Sequence, residues 1–178
     1  MDDSVVFSDD ETIGGSTHQA WRILTVDDDP DFQRATAFAI SEMDILGRRV
    51  EITQAFSNRE AAMLLAEQQD FALVLLDVVM ETEDAGLRLV KTLREVIGNA
   101  EIRIVLLTGE PGMAPVQSVM RDYDINDYWS KSELSAERLR TVLTAGLRSY
   151  SQLKATARAR RGLQTVSYTH LRAHETEA

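Results

Sequence analysis

The sequence predicts an α/β fold, a doubly wound five-stranded parallel sheet with helices on both faces, and three observations carry that expectation. Short β-rich apolar runs alternate with segments of helical periodicity five times within about 130 residues. The runs FALVLL and IRIVLL are apolar without alternation, as strands covered on both faces must be. Each run stops on polar residues that lead into a turn or a helix cap. Parallel neighbours require right-handed crossovers, so the expected arrangement is the flavodoxin-like strand order 2-1-3-4-5, whose ligands sit at the carboxyl ends of the strands.

Residues 1–20 are acidic, lack sustained periodicity and include Gly14-Gly15-Ser16, so they are read as a disordered tail outside the fold. The first strand, RILTV, stops at Asp27-Asp28-Asp29. Pro30 then opens a helix carrying Phe32, Ala35, Ala39 and Met43, with Asp29 as its N-cap. Residues 49–56 alternate as a second strand, and Ser57 and Glu60 have capping-box spacing before a helix with Ala61, Leu64 and Leu65. FALVLL, the loop METEDAG and a helix with Leu87, Val90, Leu93 and Ile97 form the third pair. IRIVLL and a helix with Val116, Val119, Met120 and Tyr123 form the fourth. A short strand around Asp127-Tyr128-Trp129 leads into the last helix, capped by Ser132 or Ser135 and carrying Leu139, Val142, Leu143, Leu147 and Tyr150.

The folded domain is therefore expected over residues 21–150. The last helix is expected to continue as a basic linker helix over residues 151–165, with Lys154, Arg158, Arg160 and Arg161 following Arg148. The stretch VSYTHLRAHETEA resembles a translated sequencing-adapter read-through, so residues 166–178 are read as non-native or disordered and the natural protein as continuing beyond about Gln164.

Composition narrows the function. A net charge of −10 over 178 residues argues against direct binding to nucleic-acid phosphates. No apolar run approaches the ~20 residues of a membrane span, and the opening MDDSVVFSDDETIGG has neither the basic nor the apolar region of a secretory signal. The absence of cysteine excludes a thiol nucleophile and fits a reducing compartment, so a soluble cytoplasmic protein with no membrane contact is expected.

Asp27 and Asp28 close the first strand, Asp77 the third and Thr108 the fourth, and Lys131 follows the fifth, so all converge on one rim of the sheet. Like charges about 4 Å apart repel by roughly 4 kcal/mol at an effective dielectric of 20, so three carboxylates there need a cation. Hard oxygen ligands suit Mg²⁺, while the absence of histidine from the set disfavours zinc. A metal, an ammonium and a hydroxyl around one carboxylate describe a phosphoryl-transfer site. Asp77, which ends the most apolar strand, is the expected nucleophile. Lys131 would pair with it and then with the phosphate, Thr108 would hydrogen-bond a phosphate oxygen, and Gly109 would leave room for the group to approach.

The stretches ILTVDDDPDF, LVLLDVVM, IVLLTGE and DYWSK resemble the receiver domain of bacterial two-component response regulators, over about residues 20–150. The resemblance implies that Asp77 takes phosphate from a histidine kinase or phosphotransfer protein. It also implies that Asp27, Asp28, Asp77 and the Val79 carbonyl serve Mg²⁺, and that Thr108 and Tyr128 form a switch pair. Phosphate at Asp77 would draw Thr108 inward and let the Tyr128 ring follow, reshaping the face made by the fourth helix, fifth strand and fifth helix, which could serve a homodimer. The domain would then be regulatory rather than an enzyme, with no chemistry beyond its own phosphorylation and dephosphorylation.

More narrowly, LDVVMETEDAGLRLV, TGEPGMAP and DYDINDYWSKSEL resemble receivers that open longer bacterial proteins, often with a C-terminal HD-GYP cyclic-di-GMP phosphodiesterase effector. The sequence departs from the usual pattern at Glu81, at an extra residue within Glu83-Asp84-Ala85-Gly86, and at Ser132, where a proline normally follows the lysine in a cis bond. Two alternatives stay open on the residues alone. One is a haloacid-dehalogenase-like phosphohydrolase with Asp27 as nucleophile and Asp29 as acid/base. The other is an interaction module that is not phosphorylated.

Overall fold

The computed structural model describes residues 19–109 and 117–175. Residues 1–18 of the N-terminal tail, most of TGEPGMAP with Val116, and residues 176–178 lie outside the described residues. The strands are β1 (Trp21–Val26), β2 (Asp44–Ile45), β3 (Arg48–Ala55), β4 (Leu73–Asp77), β5 (Arg103–Thr108) and β6 (Asp127–Ser130). The helices are α1 (Pro30–Ser41), α2 (Asn58–Glu67), α3 (Ala85–Lys91), α4 (Gln117–Asp122) and α5 (Ala136–Glu175). A π-helical turn, Thr92–Val96, extends α3, and a 3₁₀ turn, Lys131–Glu133, links β6 to α5.

The sheet order is β2-β3-β1-β4-β5-β6, and β3, β1, β4, β5 and β6 are mutually parallel. Those five strands reproduce the expected 2-1-3-4-5 order. The addition is β2, an antiparallel edge strand joined to β3 by the two-residue turn Leu46-Gly47. Both turn residues have positive φ, 53° and 72°, as a type I′ hairpin requires. Trp21 Nε1 donates to Ile45 O at 2.8 Å, which fastens the hairpin to the start of β1.

Alternate residues of the central strands feed two cores. Val74 and Leu76 of β4 join Leu24, Leu65, Leu89 and Leu106 on one face, while Leu73 and Leu75 join Ile23, Ile40, Leu143 and Leu147 on the other. Burial on both faces explains why the β4 and β5 runs carry no alternation.

Gln33 locks α1 to the carboxyl-terminal rim of this sheet. It is 1% exposed, its Nε2 donates to the carbonyls of Thr25, Asp27 and Ala55, and its Oε1 accepts from Thr25 Oγ1 at 2.6 Å. Replacing it with leucine orphans several buried groups, each worth about 1–3 kcal/mol. Gln33→Leu should therefore lower stability by at least ~2 kcal/mol in urea titrations, and an unchanged midpoint would contradict this role.

Candidate functional site

Three strand ends and one turn build the site. Asp27 follows β1 directly and its amide donates to Ala55 O at 3.1 Å, continuing the β1–β3 ladder by one rung. Its Oδ1 accepts from the Asp29 amide at 2.9 Å, while Asp29 itself caps α1 by accepting from the amides of Asp31 and Phe32. The local chain thus turns Asp27 inward, to 2% exposure, and leaves Asp28 exposed at the rim. Because Asp29 is committed to the cap, the geometry argues against its use as the acid/base of a phosphohydrolase.

Asp77 is the last residue of β4 and only 3% exposed. Its Oδ1 accepts from the Val79 amide at 3.2 Å, and its Oδ2 accepts from Lys131 Nζ at 2.7 Å. Lys131 Nζ also lies 2.7 Å from Asp27 Oδ2, close enough for an ion pair but outside hydrogen-bond angles, and 4.7 Å over the Phe32 ring. Carboxylate oxygens of Asp27, Asp28 and Asp77 lie within 4.8 Å of one another.

Thr108 ends β5 one residue beyond Leu107, the register partner of Asp77, and is 1% exposed. Apart from its chain neighbours, no described residue lies within 4 Å of where a Gly109 Cβ would stand. Val79 is half-buried against the core, and Tyr128, opposite Leu106 on β6, packs against the same core. The Tyr128 hydroxyl is sealed from solvent with no hydrogen-bond partner among the described residues. No peptide bond is cis among the described residues, so the one after Lys131 is trans, and Ser132 Oγ lies 2.8 Å from Ser130 Oγ.

Sequence reasoning missed Gly86, Gln33 and Phe32. Gly86 N donates to Val78 O at 3.1 Å, and a Cβ at Gly86 would fall 2.2 Å from Asp77 O and 2.8 Å from Val78 Cα. Only glycine lets α3 approach the end of β4 this closely. In the sequence it falls in the expected loop METEDAG, where a glycine is unremarkable.

Electrostatics follow from burial. Burial pushes the Asp77 carboxyl above its usual range, against the downward pull of Lys131 and with an added upward push from Asp27. Burial likewise raises Asp27, opposed by Lys131 and the Asp29 amide. For Lys131 burial acts downward, but the two carboxylates outweigh it and the ammonium is held above the usual lysine range. Three carboxylates against one ammonium leave two negative charges, so the donor set fits a divalent, oxygen-seeking cation such as Mg²⁺.

The sequence matches the family model described as response regulator receiver domain over residues 23–144. It is 42% identical over 137 residues to 3'3'-cGAMP-specific phosphodiesterase 2 of Vibrio cholerae serotype O1. That alignment covers 77% of this chain and 26% of the relative, so the chain spans about a quarter of the length of the curated relative it matches. A CheY-like response regulator receiver domain protein from Methanospirillum hungatei superposes with a TM-score of 0.60 at 21% identity, covering 75% of this chain and 98% of that one. A structure described as an adenylate cyclase from Rhodopirellula baltica superposes with a TM-score of 0.69 at 18% identity, covering 80% and 98%. Both structural likenesses show the fold alone.

Two outcomes are expected. Gly86→Ala should cost about 1–3 kcal/mol by forcing α3 off the β4 end, read by denaturation; no loss would contradict the close approach. Because the folded state raises the Asp27 and Asp77 carboxyls, their contribution to stability is present at low pH and is lost as pH rises through their raised values. The melting temperature of EDTA-treated protein should therefore climb as pH falls from neutrality toward the ordinary carboxylate range. Asp77→Asn should flatten that slope, and an equal slope in both proteins would refute the assignment.

Proposed function

This chain belongs to the response regulator receiver domain family, and on that premise we propose that Asp77 is the phosphoacceptor of a Mg²⁺-dependent phosphoswitch. The single observation that carries this reading is Lys131 Nζ at 2.7 Å from both Asp27 Oδ2 and Asp77 Oδ2, with Asp28 at the open rim beside them. The donor is a phosphohistidine on a histidine kinase or phosphotransfer protein. An Asp77 carboxylate oxygen forms the new bond to phosphorus as the bond from phosphorus to the histidine nitrogen breaks, and the imidazole leaves with the electron pair.

Asp27, Asp28, Asp77 and the Val79 carbonyl would hold Mg²⁺, which supplies positive charge to the phosphoryl oxygens when bound. Lys131, already in contact with both carboxylates, pairs with the incoming phosphoryl group. The Thr108 hydroxyl bonds a phosphoryl oxygen, and Gly109 leaves the approach open. Tyr128 completes the switch by following Thr108, which changes the face of α4, β6 and α5. That face is the proposed homodimer surface. A coupling of about 1–3 kcal/mol is typical of such devices and suffices to bias dimerisation or an attached domain.

The organisation proposed is a receiver over residues 21–150, a basic linker helix over residues 151–165, and residues 166–178 as a non-native tail, which is helical to Glu175 rather than disordered as the sequence suggested. The helical course of α5 past Tyr150 supports the linker. The match to one quarter of a phosphodiesterase supports a C-terminal effector of that class in the full-length protein, acting on a cyclic dinucleotide. In this reading the domain is regulatory and works in the cytoplasm; no helix among the described residues is long and apolar enough to cross a membrane.

Acetyl phosphate with Mg²⁺ should add one phosphoryl group to the wild-type protein by intact mass, and none to Asp77→Ala or in excess EDTA. Equal labelling of wild type and Asp77→Ala would refute the assignment, and rapid multi-turnover phosphatase activity lost in Asp27→Ala would replace it with a phosphohydrolase. Failure of wild type both to label and to bind beryllofluoride would favour an interaction module.

A further inference from the structure

At the opposite rim from Asp77, where the parallel strands begin, lies a pocket of about 370 Å³ between the starts of β1 and β3 and the middle of α5. Four basic side chains, Arg22, Arg48, Lys154 and Arg158, line it against one carboxylate, Asp70. Arg22 is engaged by Asp70 and Gln68, and Lys154 by Glu101. Arg48 lies 4.3 Å over the Trp21 ring and, like the exposed Arg158, has no carboxylate partner among the described residues. In a chain of net charge −10, two arginines in one concavity with no carboxylate partner among the described residues call for an anion.

The chain carries such an anion next to the pocket. Gln19, which lines the pocket, is preceded by a segment containing Asp2, Asp3, Asp9, Asp10 and Glu11 and no lysine or arginine. From Gln19 back to Glu11 an extended chain reaches up to ~28 Å, and Gly14-Gly15 permits the reversal. Short flexible tethers give effective concentrations in the mM range, which favours this segment over a free anion of equal charge.

We propose that the pocket is the docking surface for the acidic N-terminal segment of the same chain, with Asp9, Asp10 and Glu11 set against Arg48 and Arg158. The segment then straps α5 to the domain where the helix leaves it, and covers the basic groups nearest that exit. This contact is independent of the phosphoryl chemistry proposed at Asp77.

The chain has no cysteine, so a nitroxide on Ser8→Cys marks one position and leaves every acidic residue in place. At about 0.01 M salt, where charges act over ~30 Å, the label should strongly broaden the amide signals of Arg22, Arg48, Ser151 and Ala155, and at 1 M, where they act over ~3 Å, the signals should recover. Asp9→Asn/Asp10→Asn/Glu11→Gln in the labelled chain, or Arg158→Gln, should weaken the broadening several-fold. The reduced, diamagnetic label gives a reference spectrum for each variant, so loss of signal through unfolding is separated from broadening. Broadening at Val79 and Gly109 instead, none at all, or no response to the charge changes would overturn the proposal. Broadening that appears only between a labelled chain and a separate isotope-labelled chain would also overturn it, by making the occupant a second copy.

Discussion

Lys131 opposes the burial that pushes two carboxylates toward their neutral forms, and the carboxyl-terminal rim of the sheet is organised around that compromise. Asp27 and Asp77 arrive there because β1 and β4 are adjacent and in parallel register, and Lys131 because the chain turns directly after β6. Their separation is fixed by neighbours with no charge. Gln33 ties α1 to the ends of β1 and β3, and Gly86 lets α3 rest on the backbone of Asp77. One ammonium cannot neutralise three carboxylates, so the arrangement retains a preference for added positive charge. A site satisfied by its own side chains would have little reason to take up a cation.

The parallel core was legible because FALVLL and IRIVLL leave no polar face on which a strand could meet water. The hairpin that adds β2 was not, since two residues carry no periodicity and its turn places Leu46, rather than asparagine or glycine, at positive φ. Nor was the π turn after α3: Leu93 and Ile97 keep helical spacing, yet the inserted residue is what the turn contributes. From that turn Arg94 donates to the carbonyls of Tyr123 and Asp124 at the end of α4. At the site, the coincidence of acids, hydroxyl and amine at strand ends pointed to Asp27, Asp77 and Lys131, which the structure brings into contact, and to Thr108 at the end of the next strand. It did not separate buried Asp27 from exposed Asp28, because that difference arises from the Asx turn that Asp29 closes. Gly86 was obscured for a similar reason: a close backbone approach leaves no pattern in sequence.

The two ends of the α4–β6 face are held by different chemistry. At one end Arg94 grips two main-chain carbonyls while buried Arg103 pairs with Asp124 at 3.2 Å, so the link between α4 and β6 is pinned to the sheet. At the other, the Tyr128 hydroxyl is enclosed with no partner among the described residues, a condition that costs about 1–3 kcal/mol. Packing of the ring against the core offsets that cost. The pinned end, by contrast, has its polar groups paired.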